Sequence, residues 1–127
     1  MSAKNRELAR RWFEEVWNER RSDTIAELVH PDSIGHHEGG MTRGSAEVKA
    51  MRDQLLELVP DLKLIIEDIV ADGDDAVVRW RFAGVCATGS CSPVAMEGIT
   101  WLKFADGRII EGWDRWNQAA FVQLATT

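Results

Sequence analysis

Strand-like segments in the second half of the chain carry large apolar side chains on both faces, and this feature constrains the fold most. The segments are AVVRWRFAGV (76–85) and VAMEGITWLKF (94–104). One set of alternate positions contains Val78, Trp80, Phe82, Met96, Thr100, Leu102 and Phe104, and the other set, or phase, contains Val77, Ile99 and Trp101. Alternate residues of a strand point to opposite faces, so both faces of such a sheet need a cover. We expect helices on one face and a second copy of the chain on the other, giving a homodimer through the outer sheet face.

The first half of the chain predicts three helices. They are residues 3–20, a short segment that Ser22 or Asp23 caps and Pro31 ends, and residues 45–59, which Pro60 ends. SIGHHE (33–38) is interpreted as an extended piece and EGGMTRG (38–44) as a loop. Helices followed by a meander of antiparallel strands indicate an α+β fold. A length of 127 residues favours one domain that spans 1–127.

Charge and composition exclude several classes of function. The net charge is −6 and the pI is near 5.0, and an acidic chain repels the phosphates of nucleic acid. The N-terminal segment MSAKNRELARRW has no apolar run typical of a signal peptide, and no stretch approaches the ~20 apolar residues of a membrane span. We therefore expect a cytoplasmic protein without nucleic-acid or membrane partners. In that compartment Cys86 and Cys91 are expected to be free thiols rather than a disulfide.

The chain has six tryptophans and no tyrosine. Indoles are large and apolar and carry one N–H donor, so filling a closed core with all of them leaves many donors in need of partners. We expect some of them to line a cavity that binds a flat hydrophobic or aromatic molecule. The six candidates for this ligand-binding wall are Trp12, Trp17, Trp80, Trp101, Trp113 and Trp116.

Three motifs together carry a resemblance to a known family. They are IGHHEGG…RG after the second helix, VPDLKLIIEDIVADGDDAVVRWRFAG in the middle and FADGRIIEGWDRWNQAAFVQLA at the end. With these motifs, the chain resembles the SnoaL-like polyketide cyclases of the nuclear transport factor 2-like superfamily. The resemblance implies a cone in which three N-terminal helices pack on a strongly curved, mixed, mostly antiparallel sheet around a pocket. Because the superfamily includes cyclases, isomerases, dehydratases and epoxide hydrolases, the fold does not choose the reaction.

The resemblance also implies a position for the catalytic acid. In the cyclases, the residue four past the tryptophan of an E-x-W motif is typically an aspartate, and here it is Asn117. An amide cannot exchange a proton at neutral pH, so Asn117 is expected to position a water or ligand oxygen. The nearby carboxylate of Asp114 is a candidate general base beside two tryptophans. The alternative is that Asp114 forms a structural ion pair with Arg115, Arg79 or Arg81.

Of His36 and His37, only one can face a pocket, because neighbours on a strand point apart. Ile34 is apolar and in phase with His36, which favours His36 as the inward, proton-transferring residue. His37 is then a candidate for ligand contact. A metal site from His36, His37 and Glu38 is disfavoured for the same geometric reason, so no metal is expected.

Arg79 and Arg81 share one strand face, and two locations remain open for them. Inside the cone they would bind a carboxylate or organise Asp114 and a water. On the outer, dimer-facing side they would pair with acidic residues across the seam between subunits.

Two functions follow from these residues. The first is an enzyme without a cofactor that uses acid/base chemistry to cyclise, isomerise, dehydrate or hydrate a small hydrophobic molecule. The second is a binding module that keeps the pocket and has lost the catalytic acid, for which Asn117 is the supporting feature.

Overall fold

The computed structural model describes residues 2–38, 40–84, 94–117 and 119–121. Cys86 and Cys91 lie outside the described residues, and so does most of QAAFVQLA (118–125), the end of the third motif. Among the residues described, no helix is long and apolar enough to cross a bilayer.

The helices come early in the chain, as the sequence predicts. They are α1 (Ser2–Arg11), a π-helix (Trp12–Asn18), α2 (Ser22–Leu28) and α3 (Gly44–Leu58). The predicted first helix is therefore two helices, since the chain widens into π geometry at Trp12. A π turn holds more residues than an α turn. Within it, Trp12, Phe13, Val16 and Trp17 are all buried.

Six strands form one sheet. They are β1 (Val29–His37), β2 (Gly40–Arg43), β3 (Lys63–Asp72), β4 (Asp75–Gly84), β5 (Val94–Ala105) and β6 (Arg108–Arg115). Their order is β2-β1-β6-β5-β4-β3, with β1 and β6 parallel and the other neighbours antiparallel. The segment 40–43, predicted as a loop, is the edge strand β2, so that prediction is wrong. Its pairing with β1 supplies the backbone hydrogen bonds that the local sequence does not signal.

Irregularities bend the sheet. The register shifts between Val29 and Ile34 in β1, between Ile66 and Asp68 in β3, and between Lys103 and Phe104 in β5. Bulges of this kind increase local twist and curvature. The tight turn from β5 to β6 places Asp106 and Gly107 at φ 52° and 78°, a region that glycine adopts without strain.

The helices cover one face of the sheet, and this inner face holds the core. Its buried side chains include Leu64, Val78, Trp80, Phe82, Leu102, Phe104 and Ile109. The opposite face, called the outer face from here on, carries Ile99 and Trp101, which are 47% and 48% exposed. The α+β class, the curved mixed sheet and the two apolar phases are confirmed.

Candidate active site

A cavity lies between the inner face of the sheet and the helices. Its wall is mostly apolar and aromatic, with Trp12, Phe13, Trp17, Trp80, Phe82 and Trp116 among the lining residues. The unfilled volume is about 90 Å³. Few polar side chains reach this space: Ser33, His37, Thr42, Thr100 and Asp114.

Asp114 and His37 form the centre of a chain of polar contacts in the cavity. Oδ2 of Asp114 lies 2.8 Å from Nδ1 of His37, and Nε2 of His37 lies 3.0 Å from Oγ1 of Thr42. The hydroxyl of Thr100 donates to Oδ1 of Asp114 at 2.6 Å. The indole N–H of Trp80 donates to Oγ1 of Thr100 at 2.9 Å. We call this set Trp80–Thr100–Asp114–His37–Thr42 the polar chain.

The sheet register brings these side chains together. Thr100 on β5 is the direct antiparallel partner of Asp114 on β6, so both project from the inner face side by side. β1 runs parallel to β6 and carries His37 beyond His36, which is the partner of Trp113. Five strands thus contribute one residue each to the polar chain: β4, β5, β6, β1 and β2.

Gly35 keeps space open at the end of the polar chain. A Cβ at this position would lie 2.7 Å from Oγ1 of Thr42 and 3.0 Å from Nε2 of His37. Any side chain here would displace one of these two groups. The glycine therefore leaves the imidazole and the hydroxyl accessible from the cavity.

His37, not His36, faces the cavity, so the expectation that His36 is the inward histidine is wrong. The ring of His36 stacks on Trp113 at a centroid distance of 5.4 Å, and its Nε2 lies 2.7 Å from Oε2 of Glu111. Ile34 does line the cavity, but Gly35 and His37 do so as well. The pairing is regular from Ile34 to His36, so His36 lies beside its partner Trp113, and the apolar side chain of Ile34 does not mark the inward phase.

Comparison with known protein families identifies the family to which this chain belongs. The pattern of the SnoaL-like polyketide cyclases matches residues 7–124. The chain belongs to this family. No functionally curated protein matches the sequence.

Solved structures of this family and its relatives share the fold. A candidate SnoaL-like polyketide cyclase from Jannaschia sp. CCS1 has a TM-score of 0.87 and 24% identity, with 99% of this chain and 94% of that chain covered. AclR, a candidate hydroxylase from Streptomyces galilaeus, has a TM-score of 0.82 and 22% identity, covering 100% and 99%. TerC, which was co-crystallised with polyporic acid, has a TM-score of 0.82 and 20% identity, covering 98% and 99%.

Asn117 lies outside the cavity of this SnoaL-like protein. Its side chain is exposed, and its Oδ1 accepts a hydrogen bond from the backbone N–H of Ala120 at 3.1 Å. The expected positioning role in the pocket is therefore wrong. Strand β6 ends at Arg115, and because Asp114 faces the cavity, alternation would place position 117 on the opposite side in any case. Asp114, near the end of strand β6, supplies the carboxylate of the cavity instead.

The tryptophans divide between the two faces of the sheet. Those in the cavity wall are Trp12, Trp17, Trp80 and Trp116. Trp101 and Trp113 are direct partners on the outer face, so their expected place in the ligand wall is wrong. Both belong to the second apolar phase of the strands, which points away from the helices.

Arg79 and Arg81 lie on the outer face. Arg79 Nη2 lies 2.7 Å from Oδ2 of Asp68, and Arg81 Nε lies 2.5 Å from Oε1 of Glu67. Their partners are on the neighbouring strand β3 of the same chain, not across a seam between subunits. The interpretation of Asp114 as the partner of either arginine is also wrong.

Two members of the polar chain, Thr42 and Thr100, were not among the residues predicted for the site. Thr100 does stand in the inward phase of β5, in register with Asp114, and this pairing is the signal that identifies it. Thr42 gives no such signal, since it lies on a four-residue edge strand without hydrophobic alternation.

Proposed function

We propose that this SnoaL-like protein is an enzyme that moves a proton on a small hydrophobic molecule without a cofactor, as in a cyclisation or an isomerisation. The observation that carries this proposal is the 2.8 Å contact between Asp114 and His37 inside an apolar cavity. A carboxylate paired with an imidazole is suited to take a proton from a bound molecule and return it elsewhere. Membership of the cyclase family supports the same class of reaction.

The apolar wall contributes to this chemistry by excluding water. Asp114 and His37 have side chains that are only 23% and 13% exposed. In a water-poor cavity, electrostatic interactions with developing charge are stronger than in bulk water. An enolate that forms beside an imidazolium is therefore stabilised by the pair itself.

The volume and the wall favour a compact, flat ligand. Pockets for drug-sized molecules enclose roughly 300–1,000 Å³, whereas the space here is about 90 Å³. The cavity suits a molecule of about one ring, and a larger ligand needs the wall to move. The edge-on contact of Trp116 with Trp80 suits such a ring, because flat aromatic molecules stack on or meet indoles edge to face. The co-crystal of TerC with polyporic acid supports small-molecule binding in this fold.

Proton exchange at carbon tests the proposal without knowledge of the substrate. In D₂O, a base that removes a proton from the carbon beside a carbonyl forms an enolate, and return of a deuteron labels that carbon. Cyclohexanone, phenylacetone and 2-indanone are suitable probes, and proton NMR measures the loss of the exchanging signal. We expect exchange by the wild type above the buffer rate and a loss of at least about 100-fold in Asp114→Asn, the usual range for removal of a general base.

A binding module without catalysis is the second candidate. The observation that favours it is that the described polar groups of Asp114 and His37 already have partners within the protein. Asn117 no longer supports this function, because it lies outside the cavity. Tight binding of the three probes with no exchange by the wild type would establish the binding module and overturn the enzyme.

We also propose that the protein is a homodimer that buries the outer face. Ile99, Trp101, Lys103, Trp113 and Arg115 line a groove on this face, and Trp101 is 48% exposed. Charges of both signs border the groove, including Glu111 opposite Lys103. A mixed-charge apolar surface of this kind is complementary to itself across a two-fold axis.

A further inference from the structure

Trp80 sets the direction of the hydrogen bonds in the polar chain. An indole N–H can donate and cannot accept. Nε1 of Trp80 lies 2.9 Å from Oγ1 of Thr100, so the threonine oxygen must be the acceptor. Both residues are buried, at 4% and 3% exposure, so water does not compete for this bond.

The hydroxyl hydrogen of Thr100 is thereby directed at Asp114. Thr100 is buried, so its hydrogen needs an acceptor within the protein. Among the described residues, Oδ1 of Asp114 at 2.6 Å is the acceptor that the structure provides. Asp114 accordingly accepts at Oδ1 as a carboxylate, and this short bond is of the charge-assisted kind.

The remaining oxygen of Asp114 determines the state of His37. Oδ2 lies 2.8 Å from Nδ1, and two acceptors would repel each other at this distance, so a neutral His37 beside the carboxylate carries its proton on Nδ1. Nε2 is then the basic nitrogen, and the hydroxyl of Thr42 donates to it at 3.0 Å. The proton-accepting atom of the site is therefore Nε2 of His37, at the side of the cavity that Gly35 leaves open.

The packing around Trp80 holds its N–H in this position. The indole stacks on Phe82 at a centroid distance of 6.0 Å and meets Trp116 edge to face at 5.8 Å. Its cross-strand partner is Gly98, where a Cβ would lie 2.6 Å from Cζ2 of Trp80. Because Gly98 has no side chain, the indole of Trp80 can pack closely at this position.

We propose, on the basis of the function proposed above, that Trp80 is a positioning residue for proton transfer: acting through Thr100, its N–H keeps His37 in the Nδ1–H tautomer with Nε2 as the proton acceptor. Trp80 takes no proton itself. Its effect passes through one hydroxyl and one carboxylate to the imidazole. Trp80→Phe removes the N–H and keeps an aromatic ring of similar packing.

Nitrogen-15 NMR of the histidines tests this proposal in the unliganded protein. Spectra at about pH 8.5, well above the ordinary histidine pKa of about 6.5, report the tautomer of a neutral imidazole. We expect the Nδ1–H form of His37 to dominate in the wild type. In Trp80→Phe the Nε2–H form should rise about threefold to tenfold, the range that one hydrogen bond of ordinary strength gives. Trp101→Phe removes an indole N–H from the outer face and is the matched control, with no change at His37.

Thr100→Val provides a second variant, because it removes the link and keeps the side-chain volume. Since Trp80 acts through Thr100, the double variant Trp80→Phe/Thr100→Val should show the same tautomer ratio as Thr100→Val alone. Circular dichroism and the unfolding midpoint establish that each variant is folded.

An Nδ1–H population that is unchanged in both folded single variants would overturn the role of Trp80. An Nε2–H tautomer in the wild type would do so too. The outcomes separate this inference from the proposed function. If the tautomer of His37 responds as expected but the protein shows no exchange activity, the role of Trp80 is supported and the proposed catalytic function is rejected.

Discussion

His36 and His37 are adjacent in the chain, yet they contact two different surfaces of the sheet. His36 stacks on Trp113 on the outer face, whereas His37 contacts Asp114 in the cavity. Neighbours on a strand point to opposite faces, so a substitution of either histidine reports on one face alone. A substitution of His36 is therefore a matched control for the same substitution of His37 in the cavity.

Gly98→Ala is expected to destabilise the fold and displace Trp80. The added Cβ would lie 2.6 Å from Cζ2 of Trp80 and 2.7 Å from Cβ of Trp116, so these tryptophans must shift. Overpacking of this kind costs about 1–3 kcal/mol in the free energy of unfolding, which urea denaturation measures. Gly40→Ala is the control, since nothing lies within 4 Å of its new Cβ. Equal stability of the two variants would contradict the packing described for Trp80.

Trp101→Glu is expected to separate the proposed dimer into monomers. The substitution places a charge in the centre of the apolar groove, where burial without a partner is costly. Sedimentation equilibrium measures the dissociation constant, which we expect to rise at least about 100-fold. Trp101→Phe keeps the apolar surface and should remain dimeric. A wild type that sediments as a monomer at all accessible concentrations would contradict the dimer.

Glu15 should make stability depend on pH at the acid end. Arg11 and then Thr24 donate hydrogen bonds to its carboxylate, and these hold the pKa of Glu15 below its ordinary value of 4.5. The unfolded chain binds this proton more readily than the folded one. The stabilisation is therefore present above about pH 4.5 and is lost as the pH falls through the lower pKa of the folded state.

Glu15→Gln is thus expected to lower the free energy of unfolding by about 1 kcal/mol at pH 7 and by almost nothing at about pH 2. Denaturant titrations of both proteins across this pH range provide the comparison. Glu7→Gln, which removes a more exposed pair with Arg10, should follow the wild type. A constant difference between Glu15→Gln and the wild type at every pH would rule out this role.

Asn117→Asp is expected to leave proton exchange within about twofold of the wild type. Asn117 is exposed and caps the turn at Ala120, and an aspartate fills the same capping role. The ketone exchange assay measures the effect. A large gain in rate would show that position 117 reaches the ligand after all.

The distribution of apolar residues made the sheet predictable. Val78, Trp80 and Phe82 alternate with Val77 and two arginines, and the structure places the two sets on opposite faces. Two-residue periodicity is a local property of the strand and needs no knowledge of the rest of the chain. The same periodicity applied to Trp101 and Trp113 predicts that they share a face. It does not tell which face the helices cover.

The site was less predictable because irregular backbone decides it. The phase of His36 was taken from Ile34, but Ile34 lines the cavity from the phase that places His36 beside Trp113 on the outer face. The inward position of Asn117 was taken from the family motif, whereas strand β6 ends at Arg115 and Asn117 caps the turn that follows. Thr42 reaches His37 only through the pairing of a four-residue edge strand. Each of these features depends on long-range pairing, which a local pattern does not encode.

The comparison of His37→Gln with His36→Gln in the cyclohexanone exchange assay tests the central claim most directly. Glutamine retains the ability to form hydrogen bonds and lacks a basic nitrogen, so both variants should stay folded. We expect His37→Gln to lose at least about 100-fold of the exchange rate and His36→Gln to keep the rate of the wild type. Equal rates in the two variants, or a loss confined to His36→Gln, would contradict the assignment of the cavity as the site of proton transfer.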